Sequence, residues 1–145
     1  MKHLWRLGLL VLGVALLTAC GGSAPVIPPP HNKVDGAQIS DTALQSVIAG
    51  WQKDAKEGLV VGMVKAETIV EEPYQSSASL NDVADYYNKE LGTNGWTYRQ
   101  RTPGLQDGFF LGAYEHGNMS LVVAAIDLTK FSGTGTYVYI VHGTK

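Results

Sequence analysis

The strongest constraint on the fold is a change in the spacing of apolar residues at Gly95. Before this glycine, two segments repeat apolar residues every three or four positions, which is typical of amphipathic helices. After it, polar and apolar residues alternate over 96–101, and three more short segments separated by turn residues follow, which is typical of β-strands. This order of elements predicts an α+β domain in which helices cover an antiparallel sheet.

Both helices are predicted from an apolar stripe and from residues that favour helix ends. The first is expected over 40–56, with Ser40, Asp41 or Thr42 as its cap and Gly58 at its end. The second is expected to begin at Ser79, whose hydroxyl can accept the Asp82 amide, and to end at Gly92 or Gly95. The first stripe consists of Leu44, Val47, Ile48, Trp51 and Ala55, and the second of Leu80, Val83, Ala84, Tyr87 and Leu91.

The sheet is predicted mainly from the four segments that follow the second helix. They cover 96–101, 109–115, 119–126 and 137–142, with the second following a turn at Pro103-Gly104, and form a C-terminal β-meander. The segment over 121–126 is apolar at every position. It should therefore be a central strand, either covered on both sides or buried on one side and packed by aromatic residues on the other.

A Val-rich stretch over 59–70 adds one strand or two short ones before Pro73. The expected fold class is therefore α+β, with two helices packed on one face of a mostly antiparallel four- to five-stranded sheet.

The first twenty residues have the organisation of an export signal. Lys2 and Arg6 precede an apolar run over 7–19, and Cys20 follows small residues. Thirteen helical residues cover about 20 Å, which is less than the roughly 30 Å of a bilayer core, so a cleaved signal is favoured over a spanning helix. Cys20 is the only cysteine, which excludes an intramolecular disulfide and a cysteine-based metal centre.

The motif Leu17-Thr18-Ala19-Cys20 resembles a bacterial lipobox. The resemblance implies cleavage before Cys20, attachment of diacylglycerol to its sulfur and acylation of the new amino group, with palmitate as a typical chain. Because each buried methylene contributes about 0.8 kcal/mol, two or three chains anchor a protein firmly. The implied partner is the lipid bilayer, reached through acylated Cys20. The implied location is the cell envelope, at the outer leaflet of the plasma membrane or at an outer membrane if the organism has one. The alternative is an unmodified, secreted thiol.

These signals divide the chain into three parts. Residues 1–19 are the predicted lipoprotein signal peptide, 20–35 the lipidated cysteine and a Pro/Gly-rich tether, and 36–145 a single α+β domain. The segment Asp82-Val83-Ala84-Asp85-Tyr86-Tyr87, followed by Gly95-Trp96 and three strands, resembles a recurring small domain of bacterial lipoproteins over about 74–145, and this resemblance brings no assigned activity. Removal of the signal leaves a net charge of −4, so no nucleic-acid partner is expected.

The predicted domain contains two histidines, His116 and His142. If their strands were neighbours, the imidazoles could meet, and Glu115 or Asp107 could complete a metal site. Their spacing is not typical of a metal motif, so neither a metal nor a cofactor is expected, and no catalytic residue is assigned. A small envelope hydrolase that uses His116 or His142 with a carboxylate is kept as an alternative function.

Four tyrosines of the predicted meander are candidates for a binding surface: Tyr98, Tyr114, Tyr137 and Tyr139. They could cover an open sheet face that binds a peptide, a glycan or an apolar ligand, or they could complete the core, which we favour. The predicted function is a non-catalytic binding or structural module, accessory to a larger assembly, with an envelope protein, peptide or glycan as partner. A small-ligand-binding domain is a further alternative.

Overall fold

Two α-helices and five strands form the fold in the computed structural model, which describes residues 25–35 and 39–145. The predicted signal peptide and Cys20 lie outside the described residues. The helices are α1 (Thr42–Val61) and α2 (Leu80–Thr93). The strands are β1 (Val70–Ser76), β2 (Thr97–Gln106), β3 (Phe109–His116), β4 (Met119–Asp127) and β5 (Thr136–Thr144), and short 3-10 turns cover Ala66–Thr68 and Leu128–Phe131.

The strands form one sheet in the order β1-β5-β4-β3-β2, and every neighbouring pair is antiparallel. Strands β2 to β5 are therefore the predicted meander. Strand β1 pairs with the outer edge of β5, and α2 carries the chain from this edge to β2 at the opposite edge. The predicted α+β class and the five-stranded antiparallel sheet are confirmed.

The two helices lie on opposite faces of the sheet, so the prediction that they share one face is wrong. Side chains of β4 show the reason. Leu121 and Val123 pack in the cluster that contains α2, whereas Val122 and Ala124 pack in the cluster that contains α1. Because successive strand residues point to opposite faces, a strand that is apolar at every position needs cover on both sides. We call the face covered by α2 the α2 face and the face covered by α1 the α1 face.

Helix α1 is longer than predicted and does not end at Gly58. Leu59 is buried and continues the apolar stripe of Leu44, Ile48 and Ala55, so the helix runs to Val61, with Gly62 as its C-cap. The prediction of strands over 59–70 is therefore wrong except at Val70, where β1 begins. Pro73 lies within β1, where it is tolerated because β1 is an edge strand.

The predicted start of α2 is confirmed. Ser79 is the N-cap, and its Oγ accepts the Asp82 amide at 3.2 Å. The Asp82 carboxylate returns to the Ser79 hydroxyl, which donates to it at 2.7 Å.

Strand β2 passes through the predicted Pro103-Gly104 turn, so that turn prediction is wrong. The register of β2 against β3 shifts between Arg99 and Gly104, and the chain reverses four residues later at Asp107-Gly108. The shift accommodates Pro103 as a bulge in a strand at the sheet edge.

The second half of the predicted tether is docked on the domain. Ile27 packs against the core, Pro30 is buried, and Ser76 Oγ donates to the His31 carbonyl at 2.7 Å. The spacer prediction is therefore wrong for 25–35, because the carbonyls of its proline-rich segment accept hydrogen bonds from aromatic side chains. These bonds run from Trp96 Nε1 to Val26 (3.2 Å), from Tyr87 Oη to Pro28 (3.3 Å) and from Tyr86 Oη to Pro29 (3.1 Å).

Candidate functional site

The four candidate tyrosines do not form one surface. Tyr98 and Tyr114 are partners across β2 and β3 on the α2 face, with ring centroids 5.4 Å apart. Tyr137 and Tyr139 belong to clusters on the α1 face. The sheet backbone separates the two pairs, so they cannot bind one ligand together.

Three of these tyrosines hold the core together instead. Tyr114 and Tyr139 are buried, and their hydroxyls donate to Asn88 Oδ1 at 2.8 Å and to Glu71 Oε2 at 2.5 Å. Burial raises the pKa of both hydroxyls, which therefore stay protonated as donors. Tyr137 is half-buried and accepts from Gln52 Nε2 at 2.8 Å, which leaves Tyr98, 37% exposed, as the accessible member of the set.

The two candidate histidines lie on β3 and β5, and β4 runs between these strands. His116 packs against Trp96, with ring centroids 5.7 Å apart. His142 Nε2 lies 3.9 Å from Glu72 Oε2, and burial lowers the pKa of His142 while Glu72 opposes this effect. Across β4, His142 is in register with Leu121 and Tyr114, two positions from His116. The backbones of the two histidines are therefore more than two strand spacings, about 10 Å, apart, and the residues do not form a shared site.

The carboxylates considered for a metal site are engaged elsewhere. Glu115 pairs with Arg99 and Lys145, and Asp107 pairs with Lys130 at 2.9 Å. Within 25–35 and 39–145, no three His, Cys, Asp or Glu side chains are grouped in a way that could hold a metal ion.

A cleft of about 580 Å³ lies on the α1 face, between the C-terminal half of α1 and the sheet. It exists because α1 packs over β4 and β5 and leaves the same face of β3 uncovered beside it. Its floor is apolar and includes Leu111, Ala113 and Val122, and its helical wall includes Ala55 and Leu59. Leu111 and Ala113 are only half-buried, so the floor is accessible from solvent.

One end of this cleft carries a cluster of charged side chains from three separate parts of the chain. Glu115 Oε2 accepts from Arg99 Nε at 2.9 Å and from Arg99 Nη2, and Glu115 Oε1 accepts from Lys145 Nζ at 2.7 Å. The hydrogen bonds from Lys145 and from Arg99 hold the pKa of Glu115 below its usual range. The two cations exceed this carboxylate by one charge, which Asp54 on the helical wall of the same cleft balances.

An exposed apolar tip at the end of α1 adjoins the cleft through Val61 and Met63. We define the apolar tip as Val60, Val61 and Met63; Val61 is 85% exposed and Met63 is 82% exposed. Met63 has a φ of 69°, a left-handed conformation that is uncommon for a residue with a side chain. The chain therefore turns sharply here and leaves apolar side chains in solvent.

No protein-family model matches the chain, and neither a curated protein nor a solved structure matches it significantly. Over 25–35 and 39–145, none of the helices combines the length and the apolar character that crossing a bilayer requires.

Proposed function

We propose that this chain is a membrane-anchored lipoprotein of the cell envelope, whose domain is a non-catalytic module that binds a small amphipathic ligand in the cleft beside α1. The motif Leu17-Thr18-Ala19-Cys20, with its resemblance to a lipobox, supports the anchor. The anchor would hold the domain at the outer leaflet of the plasma membrane, or at an outer membrane where one exists.

The observation that carries the binding role is the combination of an apolar floor with a charged end. Ligand sites are typically apolar concavities of 300–1,000 Å³ with a few polar groups that orient the ligand. Here an apolar ligand body would lie over Leu111 and Ala113. Its anionic group would meet Arg99 and Lys145, which line the same cleft.

Both cations have donors left for such a ligand. A guanidinium has five N–H donors and an ammonium has three. Arg99 uses two nitrogens on Glu115, and Lys145 uses one bond on the same carboxylate. Asp54 lines the helical wall, so the anionic group of the ligand is expected on the sheet side, away from this carboxylate.

Octanoate, which has an apolar chain and one carboxylate, is a suitable probe. In an NMR titration of the 20–145 chain carrying Cys20→Ser, the amides of Leu111 and Ala113 should shift and saturate. Ala113→Leu fills the floor and should abolish these shifts. Arg99→Gln should weaken binding at least about tenfold, because a hydrogen bond to a charged group is worth about 1.5–3 kcal/mol.

Lys130→Gln is the matched control, because Lys130 is also an exposed cation paired with one carboxylate and lies outside the cleft. It should bind octanoate like the parent chain. Shifts that persist in Ala113→Leu, or that spread evenly over the surface, would contradict binding in the cleft.

A further inference from the structure

We infer that the apolar tip is a second membrane contact, which rests in the interface of the same bilayer that holds acylated Cys20. This inference depends on the proposed lipid anchor and adds an orientation of the domain to it.

The strand register defines one end of the sheet. In register, His116 of β3 pairs with Met119 of β4, and Met119 pairs with Thr144 of β5. At this same end β2 begins with Thr97, because Thr97 pairs with Glu115 next to His116. We call this end of the domain the anchor end.

The start of the described chain lies at the anchor end. The Val26 carbonyl accepts from Trp96 Nε1 at 3.2 Å, and Trp96 directly precedes β2. The Trp96 ring also contacts His116, with centroids 5.7 Å apart. The chain therefore joins the domain beside the last residue of β3.

The proposed anchor is only a short distance along the chain from this point. Pro25, where the described chain begins, is five residues from Cys20. Five residues span at most about 18 Å when fully extended. A lipidated Cys20 therefore keeps the anchor end close to the head groups, whatever conformation these residues adopt.

The apolar tip lies at the same end of the sheet. Two residues after Met63, the Lys65 amide donates to the Thr144 carbonyl at 2.8 Å, and Thr144 ends β5 at the anchor end. The tip lies on the α1 face and the chain start on the α2 face, so they are two separate points of support. An exposed apolar tip that is held near a bilayer removes its surface from water by entering the interface.

The charges around the tip do not provide the attraction. Lys65, Arg99 and Lys145 are cations of this end or of the adjoining cleft, but Glu67, Glu115 and Asp54 match them in number, and the chain from Cys20 has a net charge of −4. The contact should therefore be apolar and insensitive to salt. Val61 and Met63 also line the cleft, so the cleft opens beside the membrane and its ligand can enter from the lipid phase.

The test uses the full lipidated chain in vesicles of phosphatidylethanolamine and phosphatidylglycerol. The Cys20 sulfur is blocked by its thioether, so a single introduced cysteine can carry an environment-sensitive NBD label. Met63→Cys labels the tip. Val47→Cys is the matched control, because Val47 is a 36% exposed residue of the same helix, more than three turns from the tip.

We expect the label at 63 to emit at shorter wavelength and to be quenched at least twofold more than the label at 47 by nitroxide-bearing lipids, with no change at high salt. If the protein floats with the vesicles but both labels behave alike, the tip contact is overturned and the anchor stands. If the protein does not float with the vesicles, the anchor is overturned, and the tip contact with it.

Discussion

At the scale of single residues, Gly135 shows how closely the backbone is packed where β5 begins. Its φ is 73°, and a Cβ placed on it would lie 2.1 Å from the Ser76 carbonyl oxygen. Gly135→Ala should lower the free energy of unfolding by at least about 2 kcal/mol, through left-handed strain and a clash with rigid backbone. Urea denaturation measures this change.

Gly50→Ala is a control that should change the free energy of unfolding in the opposite direction. Gly50 lies inside α1 with no atom near its would-be Cβ, so alanine there should raise the free energy of unfolding by up to about 1 kcal/mol. Equal effects of the two substitutions would contradict the described packing at Gly135.

The lowered pKa of His142 predicts how the free energy of unfolding depends on pH. Burial lowers the pKa of His142, so the folded state binds this proton less readily than the unfolded state does. The part of the folding stability that depends on neutral His142 is complete above the unfolded pKa of about 6.5. It is lost as the pH falls through the lower folded pKa. Unfolding free energies at pH 7.5 and 5 should therefore differ less in His142→Gln than in the parent chain. An unchanged difference would contradict this account.

The sequence could predict residue roles that depend on near neighbours, such as the Ser79 cap on Asp82 three positions away. It could not predict partners that the fold brings together. Tyr139 donates to Glu71 from 68 positions away, and Tyr137 accepts from Gln52 across 85 positions. The aromatic residue type alone therefore suggested a binding surface, although three of the four candidate tyrosines belong to the core.

At the scale of elements, the segment over 25–35 behaves as part of the domain. Tyr86 Oη donates to the Pro29 carbonyl, and Tyr86→Phe removes this bond with little change in packing. Loss of about 1 kcal/mol of docking should increase trypsin cleavage after exposed Lys33 about fivefold.

Tyr98→Phe is the control for this experiment, because its hydroxyl contacts Thr102 and not the docked segment. Cleavage after Lys33 should not change in this variant. An equal increase in both variants, or in neither, would contradict docking through Tyr86.

Strands β2 to β5 and the second helix were predictable because each follows a local pattern, whereas the end of α1 was not. Val60 and Val61 favour a strand by composition, yet buried Leu59 continues the helical stripe and carries them into α1. The two valines stay exposed, so no local pattern of burial distinguishes the helix from a strand here. Because 59–70 was predicted as strand, the exposed apolar tip at the end of α1 was not predicted.

At the scale of the whole molecule, the arrangement of the two helices decides where the cleft can form. Each helix shows one apolar stripe, which predicts that it packs on a sheet but not on which face. Strand β4 indicated that both faces of the sheet are covered, because it is apolar at every position over 121–126. The charged end of the cleft was not predictable, since Arg99, Glu115 and Lys145 meet only through the pairing of distant strands.

The proposed placement of the chain at a membrane surface rests on the same architecture. The first described residues lie at the end of the sheet where α1 ends and where the cleft opens. A lipid on Cys20 would therefore bring the binding site to the membrane surface and would not hold it away on a long spacer.

The central claim is that lipid is attached covalently to Cys20. Intact mass spectrometry of the chain extracted from membranes tests it most directly. We predict a chain that begins at Cys20 and carries the added mass of a diacylglyceryl group, with a further acyl group where the amine is modified. A chain that retains residues 1–19, or one that begins at Cys20 with a free thiol, would contradict the account.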